Sequence, residues 1–260
     1  MIQFFVDVFN IVIKYYPFLL RGVGYTMLIA LVGTIAGLVI GLATGILRTC
    51  PMSKNGLVRF LQKVFNWCIS AYVEVFRGTP MMVQAMVIYW GFAFATGGME
   101  LPLIPSGILI VSINTGAYMA EIVRGGIISI DKGQFEGAAA VGMTHWQAMI
   151  HIILPQVLRN ILPSVANEFV INIKDTSVLN VIGVTELYAI AGIIKRQSFQ
   201  TFQTYLVVCV IYFILTFSIT RILRLLEKKL QGNDSYVICG SQSDPNAEIR
   251  VPKQEVIPND

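Results

Sequence analysis

Residues 23–47 form an uninterrupted run of 25 positions without a charged side chain. At about 1.5 Å per residue, a helix over this run is longer than the hydrocarbon core of a bilayer, which is about 30 Å thick. The whole chain has the same character, because only 13% of its 260 residues are charged, whereas soluble domains carry about 25%. The sequence therefore predicts an all-α membrane protein.

Five membrane-spanning helices are predicted, over about 23–47, 67–96, 105–128, 158–182 and 204–226. The connection after the first span is strongly basic, with Arg48, Lys54, Arg59 and Lys63. Because basic connections stay in the cytoplasm, the N-terminus is expected outside and the C-terminus inside. The outside segment 183–203 departs mildly from this rule, since it contains Lys195 and Arg196.

The two ends of the chain differ from this central part. Residues 2–16 are apolar but include Asp7, Asn10 and Lys14, which suits an amphipathic helix in the membrane interface that ends at Pro17. We therefore divide the chain into an N-terminal interfacial helix (1–17), a transmembrane domain (18–230) and a polar tail (231–260). The tail has five acids against two bases and no apolar periodicity, which predicts a disordered cytoplasmic segment.

The first span contains glycines at a spacing of four residues, at positions 33, 37, 41 and 45. Small residues at this spacing share one face of a helix and allow a second helix to approach closely. The alternative is that glycine is simply more frequent in membrane helices than in soluble ones.

A polar stretch between the third and fourth spans, 131–155, is predicted to form a cytoplasmic helical hairpin. Asp131 can cap a first short helix, with Gln134 at the reciprocal position, and Gly142 can end that helix in the left-handed conformation. Thr144, with Gln147, can cap a second helix that Pro155 ends. The hairpin is either a docking surface for a partner or an ordinary loop.

Charged residues inside predicted spans are costly, by roughly 2.5–3.5 kcal/mol each, and are therefore candidates for function. They occur here as three neighbouring pairs of opposite sign: Glu74 with Arg77, Glu121 with Arg124, and Lys174 with Asp175. Mutual neutralisation is the favoured interpretation for Glu74, Arg77 and Arg124. The candidate substrate-binding residues are Glu121, Asp175, Thr176, Ser177, Tyr118, Asn114, Thr79 and Gln84.

The sequence contains no pattern typical of an enzyme or a metalloprotein. The four cysteines are scattered and the two histidines are not spaced as ligands, so no metal site and no catalytic residue is predicted. No glycine-rich phosphate loop is present. The net charge of +4 is explained by the loops on one side of a membrane, so a nucleic-acid partner is not expected.

The hairpin also carries a longer motif, in the order Glu136-Gly137-Ala138, Gly142, Ile152 and Leu154-Pro155. This motif closely resembles the "EAA" signature of the permease subunits of ATP-binding cassette (ABC) importers. Gly137 is one departure, because the family usually has alanine there, and glycine lowers helix propensity by roughly 1 kcal/mol. Three further segments resemble the polar amino-acid branch of the family: residues 76–80, 117–127 and 172–177.

The resemblance implies a type I ABC importer fold, with the hairpin as a coupling helix that docks on a separate ATPase. The residues implied in coupling are Gln134, Glu136, Gly137, Ala138, Ala139 and Gly142. It further implies two ATPase subunits that bind ATP and Mg²⁺, while this chain binds no cofactor itself. The other implied partners are a second permease copy (a homodimer, with a paralogous heterodimer as the alternative), an extracellular or periplasmic binding protein, and an amino acid. The implied location is the bacterial cytoplasmic membrane.

Three alternatives remain at this point. The chain could be an ABC permease for another small polar solute. It could be a secondary transporter or channel that acts without an ATPase, which predicts more spans or an internal repeat. It could be a membrane enzyme, which predicts a nucleophile–base or metal constellation.

Overall fold

A computed structural model describes residues 2–231 of the chain, and within this range every regular element is helical. The elements are α1 (Ile2–Thr49), α2 (Gly56–Gly78), α3 (Met81–Ala95), α4 (Leu103–Ile128), α5 (Lys132–Ala140), α6 (His145–Ala148), a π-helix (Met149–Ile153), α7 (Leu154–Asp175), a 3₁₀-helix (Thr176–Ile182), α8 (Leu187–Ser198) and α9 (Thr201–Gln231). The prediction of an all-α protein is confirmed. The predicted tail, 231–260, lies outside the described residues apart from its first position.

Four helical segments are long and apolar enough to cross a bilayer: Gln3–Thr49, Leu103–Ile128, His145–Ile182 and Thr201–Lys229. The remaining predicted span, 67–96, is divided in the structure between α2 and the shorter apolar helix α3. Thr79 and Pro80 separate these two helices with extended backbone conformations. The interruption expected from Gly78 and Pro80 is therefore present.

Helix α1 packs along α4 through its glycines, and this is the most extensive contact of α1. Gly33, Gly37, Gly41 and Gly45 are all buried. A Cβ atom on Gly37 would lie 2.8 Å from the Cβ of Thr115, and one on Gly41 would lie 2.7 Å from the backbone carbonyl carbon of Met119. The four-residue spacing therefore marks a face on which the two helix backbones approach closely, as predicted.

The prediction that Pro17 ends the first helix is wrong, because α1 continues through it without a break. Tyr15 and Leu19, on either side of Pro17, are buried in one apolar cluster with residues of α8 and α9. Proline removes one backbone hydrogen bond from a helix. The packing on both sides of Pro17 holds the helix in register despite that loss.

Glu186, a fully buried residue between the spanning segments, caps the start of helix α8. Its carboxylate accepts hydrogen bonds from the N–H groups of Tyr188 (2.9 Å) and Ala189 (2.8 Å) and from the Tyr212 hydroxyl on α9 (2.8 Å). Thr26 of α1 lies beside this group and accepts from the N–H of Leu187. Burial raises the pKa of Glu186, although these hydrogen bonds oppose the shift.

The raised pKa predicts how the stability contributed by Glu186 depends on pH. A carboxyl group with a raised folded-state pKa stabilises the fold below its unfolded pKa, and this contribution is lost as the pH rises through the folded pKa. The melting temperature of the wild type relative to Glu186→Gln should therefore fall as the pH is raised from about 4 to 8. A difference that is constant across this range would contradict the assignment.

Candidate functional site

The break between α2 and α3 lies against the middle of α4 and is held there by side-chain amides. The Gln84 Nε2 donates to the carbonyl oxygens of Phe76 and Thr79 and to the Thr79 hydroxyl, each at 2.9 Å. Asn114 of α4 donates to the Gln84 Oε1 at 2.8 Å. The structure thus brings together three predicted substrate residues, Thr79, Gln84 and Asn114. Because they bond to one another and to freed backbone carbonyls, this arrangement favours a structural role.

A second buried polar network joins three spanning segments one residue further along α4. Asn172 of α7 donates to the hydroxyls of Thr34 on α1 (2.8 Å) and Thr115 on α4 (3.0 Å). All three side chains are buried. Hydrogen bonds satisfy these polar groups inside the bundle, where an unpaired group would cost free energy.

Arg77 lies beside this region, with its guanidinium over the ring of Tyr118 at 5.5 Å from the ring centroid. The expected pairing of Arg77 with Glu74 is not present, because the described residues contain only two salt bridges and neither includes these side chains. Glu74 is exposed. Arg77 is therefore available to a ligand at the α2–α3 break.

Glu168 on α7 is a functional candidate that the sequence reasoning missed. Its side chain is buried at 6% exposure, and it makes no hydrogen bond or salt bridge to another described residue. The charges of Asp175 and Arg77 both interact electrostatically with the Glu168 carboxyl group. Two carboxylates and one guanidinium thus lie close enough to interact electrostatically, although only Glu168 is fully buried.

The signal for Glu168 was present in the sequence. No basic residue stands three or four positions from it, so it is not part of a neighbouring pair of opposite charge. An unpaired acid inside a spanning segment is itself a functional candidate.

The cluster of Asp175, Thr176 and Ser177 marks the change from α7 to the 3₁₀-helix. The Thr176 hydroxyl is buried and donates to the carbonyl oxygen of Ile173 at 3.0 Å. Asp175 and Ser177 are half-buried. Of the three, Asp175 and Ser177 have polar atoms that no other described residue engages.

Glu121 has both carboxylate oxygens engaged inside the chain. Its Oε1 pairs with Arg48 at the end of α1, and its Oε2 pairs with Arg124 at 2.8 Å. Arg48 also donates to the hydroxyl of Ser70 on α2 at 3.4 Å. The predicted pair of Glu121 and Arg124 is present, and the full cluster fastens α1, α2 and α4 together near the hairpin.

The hairpin begins with α5, which Asp131 caps by accepting from the N–H of Gly133 at 2.6 Å. Gln134 does not reciprocate, since it accepts from Gln156 of α7 at 3.2 Å. Gly142 has the predicted left-handed conformation, with φ +79°. Thr144 and Gln147 form the predicted capping box at the start of α6.

The prediction that Pro155 ends the second short helix is wrong. After α6, the chain passes through the π-helix into α7, and Pro155 stands within the first two positions of that helix. Proline is tolerated there, because the first N–H groups of a helix have no partner within it. The hairpin is therefore continuous with the spanning helix α7.

Five of the six predicted coupling residues are exposed on the hairpin: Gln134, Glu136, Gly137, Ala139 and Gly142. The sixth, Ala138, is buried at 3% exposure, and its carbonyl oxygen accepts from the N–H of Met143. Val141, at the tip, is 76% exposed. The first helix of the hairpin and its tip thus present small residues, the carboxylate of Glu136 and the apolar side chain of Val141 outwards.

Residues 37–232 match the family described as the binding-protein-dependent transport system inner membrane component. The matched range includes the hairpin, the α2–α3 break and all of α4, α7 and α9. The chain belongs to this family. It is therefore a multi-pass membrane protein of the inner-membrane permease class.

Relatives within this family are similar over nearly their whole length. The glutamine transport system permease protein GlnP of Escherichia coli K12 is 37% identical over 215 residues, which are 83% of this chain and 94% of that protein. The probable amino-acid ABC transporter permease protein YckA of Bacillus subtilis is 36% identical over 224 residues, or 85% and 94%.

Solved structures of permeases have the same fold. A crystal structure of an amino acid ABC transporter with histidines has a TM-score of 0.71 and 34% identity over 84% of this chain and 96% of that one. The methionine ABC transporter MetNI, in an inward-facing conformation, has a TM-score of 0.61 at 21% identity, which supports the fold alone. The predicted type I importer fold is confirmed, while the count of five spans stays a prediction, because the predicted span 67–96 is divided between α2 and α3.

Proposed function

We propose that this chain is the permease subunit of an ATP-driven, binding-protein-dependent importer of polar amino acids. The observation that carries the proposal is the capped, exposed hairpin 131–155, directly joined to α7, in a chain 37% identical to a glutamine permease. The chain itself performs transport and no chemical reaction. Hydrolysis of ATP takes place on two separate ATPase subunits, which also hold the Mg²⁺.

Coupling follows from the continuity between the hairpin and the spanning helix. Phe135 of α5 packs against the cluster of Ile127, Met149 and Ile153, which joins α4, the π-helix and the hairpin. Movement of a docked ATPase is therefore passed through packed side chains to α4 and α7. These two helices carry Tyr118, Glu168 and Asp175, so the motion reaches the substrate region.

The charges of the substrate region are complementary to an amino acid. Glu168 and Asp175 suit the α-ammonium group or a cationic side chain, and Arg77 suits the α-carboxylate. Tyr118 orients Arg77 by stacking, and Ser177 adds a hydroxyl. We assign substrate contact to these five residues, and we assign a supporting role to Thr79, Gln84, Asn114 and Thr176.

Glu121 takes a different role in this proposal. Its two arginine partners lie near the hairpin, so we place the cluster of Glu121, Arg48 and Arg124 at the cytoplasmic end of the pathway. There it keeps α1, α2 and α4 in register while the helices move.

The remaining parts of the assembly lie outside this chain. A second copy completes the pathway, and a homodimer is favoured over a pair of paralogues. A periplasmic or extracellular binding protein delivers the amino acid at the end of α4 opposite the hairpin. The complex resides in the bacterial cytoplasmic membrane, with the N-terminus outside and the C-terminus in the cytoplasm.

Glu136→Arg is the variant that tests the docking of the hairpin. Reversing the charge of this exposed residue should lower both co-purification with the ATPase and amino-acid uptake into proteoliposomes. We expect a loss of about tenfold or more, the size typical of an interface hot spot. Glu100→Arg is the matched control for co-purification with the ATPase, because Glu100 is also exposed but precedes α4, at the end away from the hairpin.

The docking proposal fails if Glu136→Arg leaves ATPase association and uptake at the wild-type level. The substrate class is tested separately, by measuring uptake with the cognate binding protein across the polar amino acids. Coupled ATP hydrolysis without uptake of any amino acid would support the function as an ABC permease but would exclude amino acids as its substrates.

A further inference from the structure

The first three turns of α2 carry an apolar surface that no other described element covers. Helical positions at 100° per residue place seven apolar side chains on one continuous half of the helix, all of them exposed. They are Leu57, Val58, Phe60, Leu61, Val64, Phe65 and Trp67. We call this set the α2 arc.

Basic residues border the α2 arc on one side. Arg59 and Lys63 are one helical turn apart, and Trp67 follows Lys63 by another turn. Lys54 precedes the helix. All three cations are exposed, and none belongs to a salt bridge among the described residues.

The charged side chains of this region are all positive. Between Arg48 and Val73 the sequence contains no aspartate or glutamate. The first acid along α2 is Glu74, three turns beyond Lys63. The apolar arc is therefore accompanied by uncompensated positive charge at the end of α2 nearest the hairpin.

The opposite face of the same turns is already occupied. Gln62 accepts from the N–H of Ser53 at 2.8 Å. Gln62 and Asn66, together with Phe65 of the arc, line a cleft of about 210 Å³ with His145 and Trp146 of the hairpin. Apart from Phe65, the arc and its basic border remain for a partner outside the chain.

We propose that the α2 arc, with Arg59 and Lys63, binds anionic phospholipid in the leaflet on the hairpin side. An apolar face bordered by cations, with a tryptophan at its edge, is the pattern of helices that lie in the interface of anionic membranes. The acyl chains cover the arc, and the phosphate group contacts the two cations. The bilayer is the available source of such lipid, since the chain is an inner-membrane protein.

Quenching of Trp67 by brominated lipids tests this proposal in the permease–ATPase complex in nanodiscs. Phosphatidylcholine discs receive either brominated phosphatidylglycerol or brominated phosphatidylcholine at the same mole fraction. The Trp67→Phe variant gives the signal of all other tryptophans, which is subtracted. Quenching by phosphatidylglycerol should exceed quenching by phosphatidylcholine.

Charge variants test whether Arg59 and Lys63 cause the preference for phosphatidylglycerol. Arg59→Gln with Lys63→Gln should lower the preference for phosphatidylglycerol by about fivefold for each cation removed, and high salt should lower it in the wild type. Arg59→Lys with Lys63→Arg should retain it. Lys228→Gln with Lys229→Gln is the matched control, because it removes two exposed cations from the end of α9 and should leave the preference unchanged.

Three results would overturn the proposal. The first is equal quenching of wild-type Trp67 by the two lipids. The second is an equal loss of preference in the α9 control, which indicates a general charge effect. The third is no quenching of Trp67 by either lipid, which indicates that a second copy or the ATPase covers the arc.

Discussion

Replacing Gly41 with alanine is expected to destabilise the protein by about 1–3 kcal/mol, the range for adding atoms to a packed interior. The new Cβ would lie 2.7 Å from the carbonyl carbon of Met119 and 3.0 Å from the N of Ala120. These are backbone atoms of α4 and cannot rotate aside as a side chain can. The two helices must therefore separate, which weakens the whole contact between α1 and α4.

Gly24→Ala is the matched control, because Gly24 lies on the same helix and a Cβ added there would have no neighbouring atom within 4 Å. Alanine is favoured over glycine in a helix interior by roughly 0.5–1 kcal/mol. The two substitutions should thus shift stability in opposite directions. The measurement is the thermal midpoint of the detergent-solubilised protein, and equal midpoints for both variants would show that close packing at Gly41 is not required.

Replacing Glu168 with glutamine is expected to reduce amino-acid uptake by about tenfold to 150-fold at limiting substrate. This range corresponds to the loss of a hydrogen bond to a charged group, about 1.5–3 kcal/mol. Glutamine keeps the shape of the side chain and removes only the charge. Uptake into proteoliposomes with the ATPase and the binding protein is the measurement.

Thermal stability separates a substrate role of Glu168 from a structural one. A buried carboxylate without a hydrogen-bond partner costs free energy, so Glu168→Gln should melt at the wild-type temperature or above it. Glu74→Gln is the control, because Glu74 is an exposed carboxylate on α2 and should leave uptake unchanged. Normal uptake by Glu168→Gln, or a lowered melting temperature, would remove Glu168 from the substrate site.

Local signals in the sequence predicted the features that neighbouring residues determine. The capping pair of Thr144 and Gln147 and the left-handed stop at Gly142 are both present. A cap acts on N–H groups two or three residues away, so its sequence pattern is sufficient. The break at Thr79–Pro80 is equally local, because proline restricts its own backbone and that of the residue before it.

The two errors at proline have one physical reason. Pro17 and Pro155 have the local chemistry of helix ends, yet the chain stays helical through both. Burial of Tyr15 and Leu19 against α8 and α9 stabilises the helix around Pro17. The π-helix before Pro155 shifts the hydrogen-bonding pattern, so the proline falls where no N–H is needed.

In the candidate site, too, a contact between residues close in sequence was predicted, whereas a contact between distant residues was not. Glu121 was paired in the prediction with Arg124, three residues away, and this contact exists. Its second partner, Arg48, is 73 residues away, and no local pattern indicates it. The distant contact uses the remaining carboxylate oxygen and makes Glu121 a weaker candidate than Glu168.

The sequence by itself determined the helical membrane class, the glycine face of α1, the hairpin with its caps and the family. These follow from the length of apolar runs, from residue spacing and from hydrogen bonds within a few residues, which are all local quantities. Only the tertiary structure decided which charges are neutralised within the chain and which remain available. That choice depends on which helices are neighbours, because a carboxylate in the bundle is paired or unpaired according to side chains that approach it from other helices.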